Sequence, residues 1–196
     1  MLHLRRFGVI GLAVGLIILA GCSAPAPKPK TTLQPIIAPE KANISAARVC
    51  IFSLRTPQGD PGMGSHLAHQ LHQFLLARRI ARIVEVVPEG FSDVNEAIDR
   101  ARILGYDVAV LGQVQESFWG GRIEPSRATV ELRVVDTVRR VTIWYLRASA
   151  TADYLQAYDF GIWRTDIVLA RTPMDLIRKL LIEMADELAD WAHTHK

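Results

Sequence analysis

Three clustered histidines, two cysteines and a scatter of carboxylates are the groups whose types invite chemistry in this sequence of 196 residues. His66, His69 and His72 are spaced for one helix, but at about 100° per residue His66 and His72 stand roughly 120° apart around it. One ion would reach both only with ligands from elsewhere. All three also avoid the face defined by Leu67, Leu71 and Phe74, so they read as a solvated helix surface and no metal is expected. The carboxylates show no paired acid and base spacing, and no nucleophile elbow, phosphate-binding loop or zinc-protease motif is present. The chain is therefore expected not to be an enzyme, with no cofactor. Cys50 lies inside the apolar run Val49-Cys50-Ile51-Phe52 and reads as a small buried hydrophobe rather than a reactive thiol.

Cys22 has different surroundings. Arg5-Arg6 is followed by an apolar stretch from Phe7 to Leu19 and then by Leu19-Ala20-Gly21-Cys22: a charged start, an apolar middle and a small-residue cleavage site. The apolar run is short of the about 20 residues that cross a bilayer, which disfavours a retained membrane span. Leu19-Ala20-Gly21-Cys22 resembles the lipobox of bacterial lipoproteins. That resemblance implies that the Cys22 thiol takes a diacylglycerol and becomes the new N-terminus; an ordinary signal peptide with a chance cysteine is the alternative. Several acyl chains anchor stably where one binds marginally. Ser23 rather than Asp implies, by the same resemblance, the periplasmic face of an outer membrane. With Cys22 acylated, Cys50 is left without an intramolecular disulfide partner.

Three sections follow: 1–21 as signal peptide, 22–44 as a lipidated tether and 45–196 as one domain. Pro25, Pro27, Pro29, Pro35 and Pro39 make the second section read as extended, semi-rigid chain. The third has the length of a single domain. Without Arg5 and Arg6 the chain carries 21 basic and 20 acidic residues, and setting aside Lys28, Lys30, Lys41 and Glu40 leaves 18 against 19. A near-neutral domain lacks the concentrated basic character of a nucleic-acid partner.

Within that domain, residues 48–54 read as a strand, 55–64 as a loop rich in Gly and Pro, and Ser65 as the N-cap of a helix with Leu67, Leu71, Phe74 and Leu75 on one face. Residues 83–87 form a second strand, ended by Pro88 and Gly90. Ser92 caps a second helix bearing Val94, Ala97, Ile98, Ala101 and Leu104, with Gly105 at its left-handed end. Residues 108–111, apolar throughout, read as a strand covered on both faces. Residues 129–136 and 141–150 make a hairpin, with Val130, Leu132 and Val134 alternating inward. Thr172 caps a last helix with Pro173 at its first position and Asp175 in its first turn. Its stripe of Met174, Ile177, Leu181, Met184, Leu188 and Trp191 reads as a helix laid on the sheet, a partner-helix seam being the alternative. The expected fold is α/β (α+β): one domain with a mixed β-sheet, a C-terminal antiparallel hairpin and about three packed helices.

The stretch 101–114, Ala-Arg-Ile-Leu-Gly-Tyr-Asp-Val-Ala-Val-Leu-Gly-Gln-Val, resembles the helix-to-strand segment of envelope lipoproteins related to CsgG. Strand 130–136 with Thr137 and Trp144 is similar to that family's strand-turn-strand, and the strand from Arg48, the helix through Leu67 and Leu71 and the terminal helix fit its order. Gly112 would let another backbone approach the strand closely. The family carries Gly where this chain has Arg140, and 151–171 has no counterpart. No long amphipathic strand is evident, so a membrane pore is not expected. The resemblance extends to PelC-type lipoproteins of exopolysaccharide export and to the curli secretion lipoprotein. It implies an oligomeric assembly or accessory component of an export or surface-structure system; the alternative is a monomeric periplasmic regulator of a peptidoglycan synthase, like LpoB.

Glu116-Ser117-Phe118-Trp119-Gly120-Gly121-Arg122 sets two large aromatics beside two glycines. They cannot all enter a core from a turn, and Trp favours a membrane interface or a protein contact. Phe118 and Trp119, with Tyr158 and Trp163 in the unmatched segment, are the candidates for a membrane or subunit contact, local packing beneath the loop being the alternative. Trp144 and Trp191 read as core.

Overall fold

The computed structural model describes residues 28–38, 42, 44–57, 60–154 and 169–194. In chain order the strands are β1 (Lys30–Ile37), β2 (Arg48–Phe52), β3 (Ile83–Val87), β4 (Val108–Phe118), β5 (Ser126–Asp136) and β6 (Val141–Ala152). The helices are α1 (Pro61–Ala77), α2 (Val94–Ile103) and α3 (Pro173–Thr194). The strands form one mixed sheet in the order β1-β6-β5-β4-β2-β3. β2 lies parallel to β3 and to β4, because a helix sits in each link and carries the chain back to the starting edge. β4, β5, β6 and β1 pair antiparallel. The expected fold class holds: a mixed sheet with three helices in a single α/β domain.

Alternation along β2 divides the core in two. Val49 and Ile51 pack towards α1 and α3, while Cys50 and Phe52 pack towards α2. A strand buried on both faces has no polar position to offer, which explains its continuous apolarity. The larger core gathers Leu67, Leu71 and Leu75 of α1, Val130, Leu132 and Val134 of β5, and Ile177, Leu181, Met184 and Leu188 of α3. Leu176, Leu180, Ala185 and Ala192 are buried as well, so the apolar face of α3 is broader than a two-helix seam and the helix lies on the sheet. Trp144 and Trp191 are core residues, stacked with ring centroids 6.2 Å apart and planes 5° from parallel. Truncating either to Ala should cost about 3–5 kcal/mol.

Four expectations from the sequence are corrected. β1 falls inside the interval read as a tether: it pairs with β6 from Lys30↔Thr151 to Ile37↔Tyr145. Pro35 is compatible with this because β1 is an edge strand, where a missing N–H leaves no ladder bond unmade, and the register shifts beside it. α1 starts at Pro61, not after Ser65: Asp60 Oδ1 accepts from Gly62 N at 2.8 Å and Met63 N at 3.3 Å. Gly64 is helical, and it is glycine because a Cβ there would lie 2.1 Å from Leu54 O. The cap of α2 is Asp93, whose Oδ1 accepts from Asn95 N and Glu96 N, while Ser92 N and Oγ donate to Glu96. Finally, β4 continues through Glu116 and Phe118, past a register shift after Val114.

Other boundaries agree with the reading. Gly105 ends α2 at φ 77°, whereas what fills the space a Cβ would take at Gly112 is the Leu54 side chain rather than a backbone. Thr172 caps α3, its Oγ1 accepting from Asp175 N at 3.2 Å. Thr137 is fully buried and its Oγ1 lies 2.7 Å from Tyr106 O, tying the β5–β6 turn to the segment that leads into β4. Among the described residues no helix is long and apolar enough to cross a membrane.

Candidate functional site

β4 and β5 pair to their ends at Phe118↔Arg127, and residues 119–125 turn the chain. The buried Ser126 Oγ accepts from Gly120 N at 3.2 Å, and Gly120 O accepts from Ile123 N and Glu124 N. A Cβ on Gly120 would meet Glu124 O at 1.8 Å, so the turn closes only around glycine. Ala170 N donates to Gly121 O at 3.1 Å, which brings Leu169 beside the same turn.

The turn leaves apolar side chains in solvent: Trp119 is 57% exposed, Ile123 80%, Leu169 47% and Phe118 37%. Arg127 lies 5.2 Å over the Phe118 ring and pairs with Glu116 and Glu124, so charge surrounds the apolar residues. Phe118 and Trp119 are therefore brought to one exposed tip, as a contact residue requires. Tyr158, Trp163 and Cys22 lie outside the described residues.

A second feature was not singled out in the sequence. Beyond α2, the sheet face of β4, β5 and β6 is polar, and Glu131 sits buried within it. Its carboxylate accepts from Tyr145 Oη at 2.5 Å, Arg147 Nε at 2.7 Å and Gln115 Nε2 at 3.0 Å. Burial alone would push this carboxyl up; the three donors outweigh it and hold the pKa below its usual value. Tyr145 shifts the other way, raised by burial and by donating to Glu131. The signal that would have found the cluster is alternation: Glu131 lies between the inward-facing Val130 and Leu132 and must face the opposite side.

No protein-family model matches the chain, and no curated protein matches it in sequence. Solved structures do match. The PelC dodecamer from Paraburkholderia phytofirmans aligns with a TM-score of 0.58 at 15% identity, over 82% of this chain and 98% of that one. The chain shares its fold with PelC. A point variant of the same PelC dodecamer aligns at 0.55 and 16% identity, over 79% of this chain and 94% of that one. Alignment over nearly the whole of PelC means that most of this chain belongs to the shared fold.

The remaining candidates are placed by local contacts. His69 Nδ1 lies 2.8 Å from Ser65 O, His66 Nε2 lies 2.8 Å from Gln70 Nε2, and His72 Nε2 lies 2.9 Å from Val84 O. His66 and His69 are exposed and His72 is partly covered by β3. Cys50 is fully buried. Burial, with Glu85 nearby, pushes its thiol up to about 12, which leaves too little thiolate for nucleophilic chemistry.

Proposed function

We infer that this chain is a lipid-anchored periplasmic protein of the outer membrane that acts, as a homo-oligomer, in the assembly of an export or surface-structure system, without catalysing a reaction. The observation that carries the reading is the fold shared with PelC, which is a dodecamer. The lipobox-like Leu19-Ala20-Gly21-Cys22 supplies the anchor.

The tip supports it further, because it lies on the anchor side of the sheet. Phe118 pairs with Arg127, Arg127 with Thr151 and Thr151 with Lys30, so the tip and the start of β1 share one row across four strands. At about 4.8 Å between strands the two are roughly 15 Å apart. Cys22 precedes Lys30 by eight residues, a reach of no more than about 30 Å. With a lipid on Cys22 this is the end of β1 nearest the anchor, so Phe118, Trp119 and Ile123 are the exposed side chains we propose for contact with the bilayer, where Trp is favoured.

The test is the mass of the full-length, lipidated protein in mild detergent, measured by size-exclusion chromatography with light scattering. A closed oligomer of defined subunit number is the expected result. A monomer at all concentrations would overturn assembly and favour the regulator alternative. Cys22→Ser should move the protein from the membrane to the soluble fraction.

A further inference from the structure

The winding of the sheet reverses beside β2. From β2 the chain crosses through α1 to β3 on one side, and from β3 it crosses back through α2 to β4 on the other. In open sheets with helices on both faces, ligands bind in the crevice beyond the carboxyl ends of the strands at such a reversal. Here that crevice is a cavity of about 160 Å³, with Arg55, Phe91, Gln113, Glu131, Arg133 and Tyr145 in its lining. Its size is close to the roughly 150 Å³ that accommodates a benzene ring.

The lining carries unspent charge. Arg55 stands just past β2, fixed by Arg55 N donating to Gly112 O at 3.0 Å and Val114 N donating to Arg55 O at 2.8 Å. Its guanidinium lies 6.0 Å from the Phe91 ring centre, and that of Arg133 lies 4.5 Å from the ring centre of Tyr145. Among the described residues neither guanidinium forms an ion pair, whereas Arg147 is taken by Glu131. Glu131 is filled by its three donors and has little left for Arg133. The first N–H groups of α2, at the mouth, are also occupied, by Asp93. Arg133 also hydrogen-bonds the Tyr145 hydroxyl, so the free binding capacity is that of the Arg55 fork and the remaining N–H groups of Arg133, matched to a planar anion.

We propose that this cavity binds a small monocarboxylate with a body about one ring in size, its carboxylate held by Arg55 and Arg133 and its body against Phe91, Val94 and Leu111. Shape selects such an acid over inorganic phosphate: the apolar wall of Phe91, Val94 and Leu111 and the volume of about 160 Å³ have room for a ring beside the anionic group, which phosphate lacks. An aromatic acid and a sugar acid share this chemistry.

Full-length protein is titrated by calorimetry with sodium benzoate, sodium glucuronate, benzamide and inorganic phosphate. Saturable binding of benzoate or glucuronate is expected, the tighter one naming the source, and benzamide should not bind. Arg55→Gln and Arg133→Gln should each weaken the carboxylate by at least about tenfold, the loss of one charge-assisted contact. Arg55 is exposed, so Arg55→Gln tests the idea even if Arg133→Gln misfolds. Absence of carboxylate binding, binding unchanged by Arg55→Gln, or phosphate binding tighter than both acids would overturn the proposal. Assembly is measured by mass, so the outcome here leaves that reading untouched.

Discussion

Cys50 and Glu131 are both buried, yet burial acts on them in opposite ways because only one has donors. The Cys50 thiol, pushed up to about 12 chiefly by desolvation, should not react with a disulfide reagent near pH 8 until the protein unfolds; rapid labelling of the native state would contradict its burial. Glu131 is a carboxyl whose folded pKa lies below its ordinary value. Such a group adds stability that is present above the unfolded value, about 4.3, and is lost as pH falls through the folded one. Glu131→Gln should therefore melt lower than the parent at neutral pH, by about 1–3 kcal/mol for partners left half-paired. Its melting temperature should also fall less between about pH 5 and about pH 3. Parallel curves for the two proteins would take Glu131 out of the account. Alternation shows which way Glu131 faces, but its partner is set by a register shift. Continuing the hairpin from Asp136↔Val141 and Val135↔Thr142 would set Glu131 opposite Leu146; the shift after Val134 moves it to Arg147. Arg140, like Arg79 at φ 51°, departs from local preference. Arg140 takes φ 59° in the β5–β6 turn and pairs with Asp99 of α2.

At the scale of elements, periodicity located the three helices among the described residues, the caps of two of them fell on Asp60 and Asp93 rather than Ser65 and Ser92, and two of the misplacements came from glycine and proline. Gly62 and Gly64 read as loop, but they lie in α1 because Leu54 passes too close for a side chain at Gly64. The prolines before residue 40 read as free chain, but β1 sits at an edge where Pro35 is tolerated. β1 is held by its ladder to β6, by Lys179 Nζ donating to Pro29 O and by Thr31 Oγ1 donating to Glu183, and it buries no side chain fully. Local opening should be easiest there. Hydrogen exchange is expected to be faster in β1 than in β2, β4 and β5; equal protection would mean that β1 belongs to the core.

For the whole molecule, the proposed anchoring turns on which side of the sheet would meet the membrane. Trp119→Ala is expected to leave the melting temperature nearly unchanged, since the side chain is 57% exposed, and to weaken binding of the unlipidated Cys22→Ser protein to liposomes. If oligomer mass changes while liposome binding does not, the tip is a subunit contact instead. Gly120→Ala tests the same surface through its backbone. With Glu124 O 1.8 Å from the new Cβ, the turn must open, at a cost of about 1–3 kcal/mol, and the contact should be lost with it.

Residue types and their spacing determined the three helices, the strands from β2 onward and the two-sided burial of residues 108–111 in β4, and pointed to the tip at Phe118 and Trp119, because each depends on neighbours within a few positions along the chain. Strand order, the reversal beside β2, the register shift that gives Glu131 its arginine and the placing of Arg55 and Arg133 in one cavity lining are different in kind. They join residues far apart in sequence, and which pairs meet is decided only when the competing ways of covering one apolar sheet have been resolved in three dimensions.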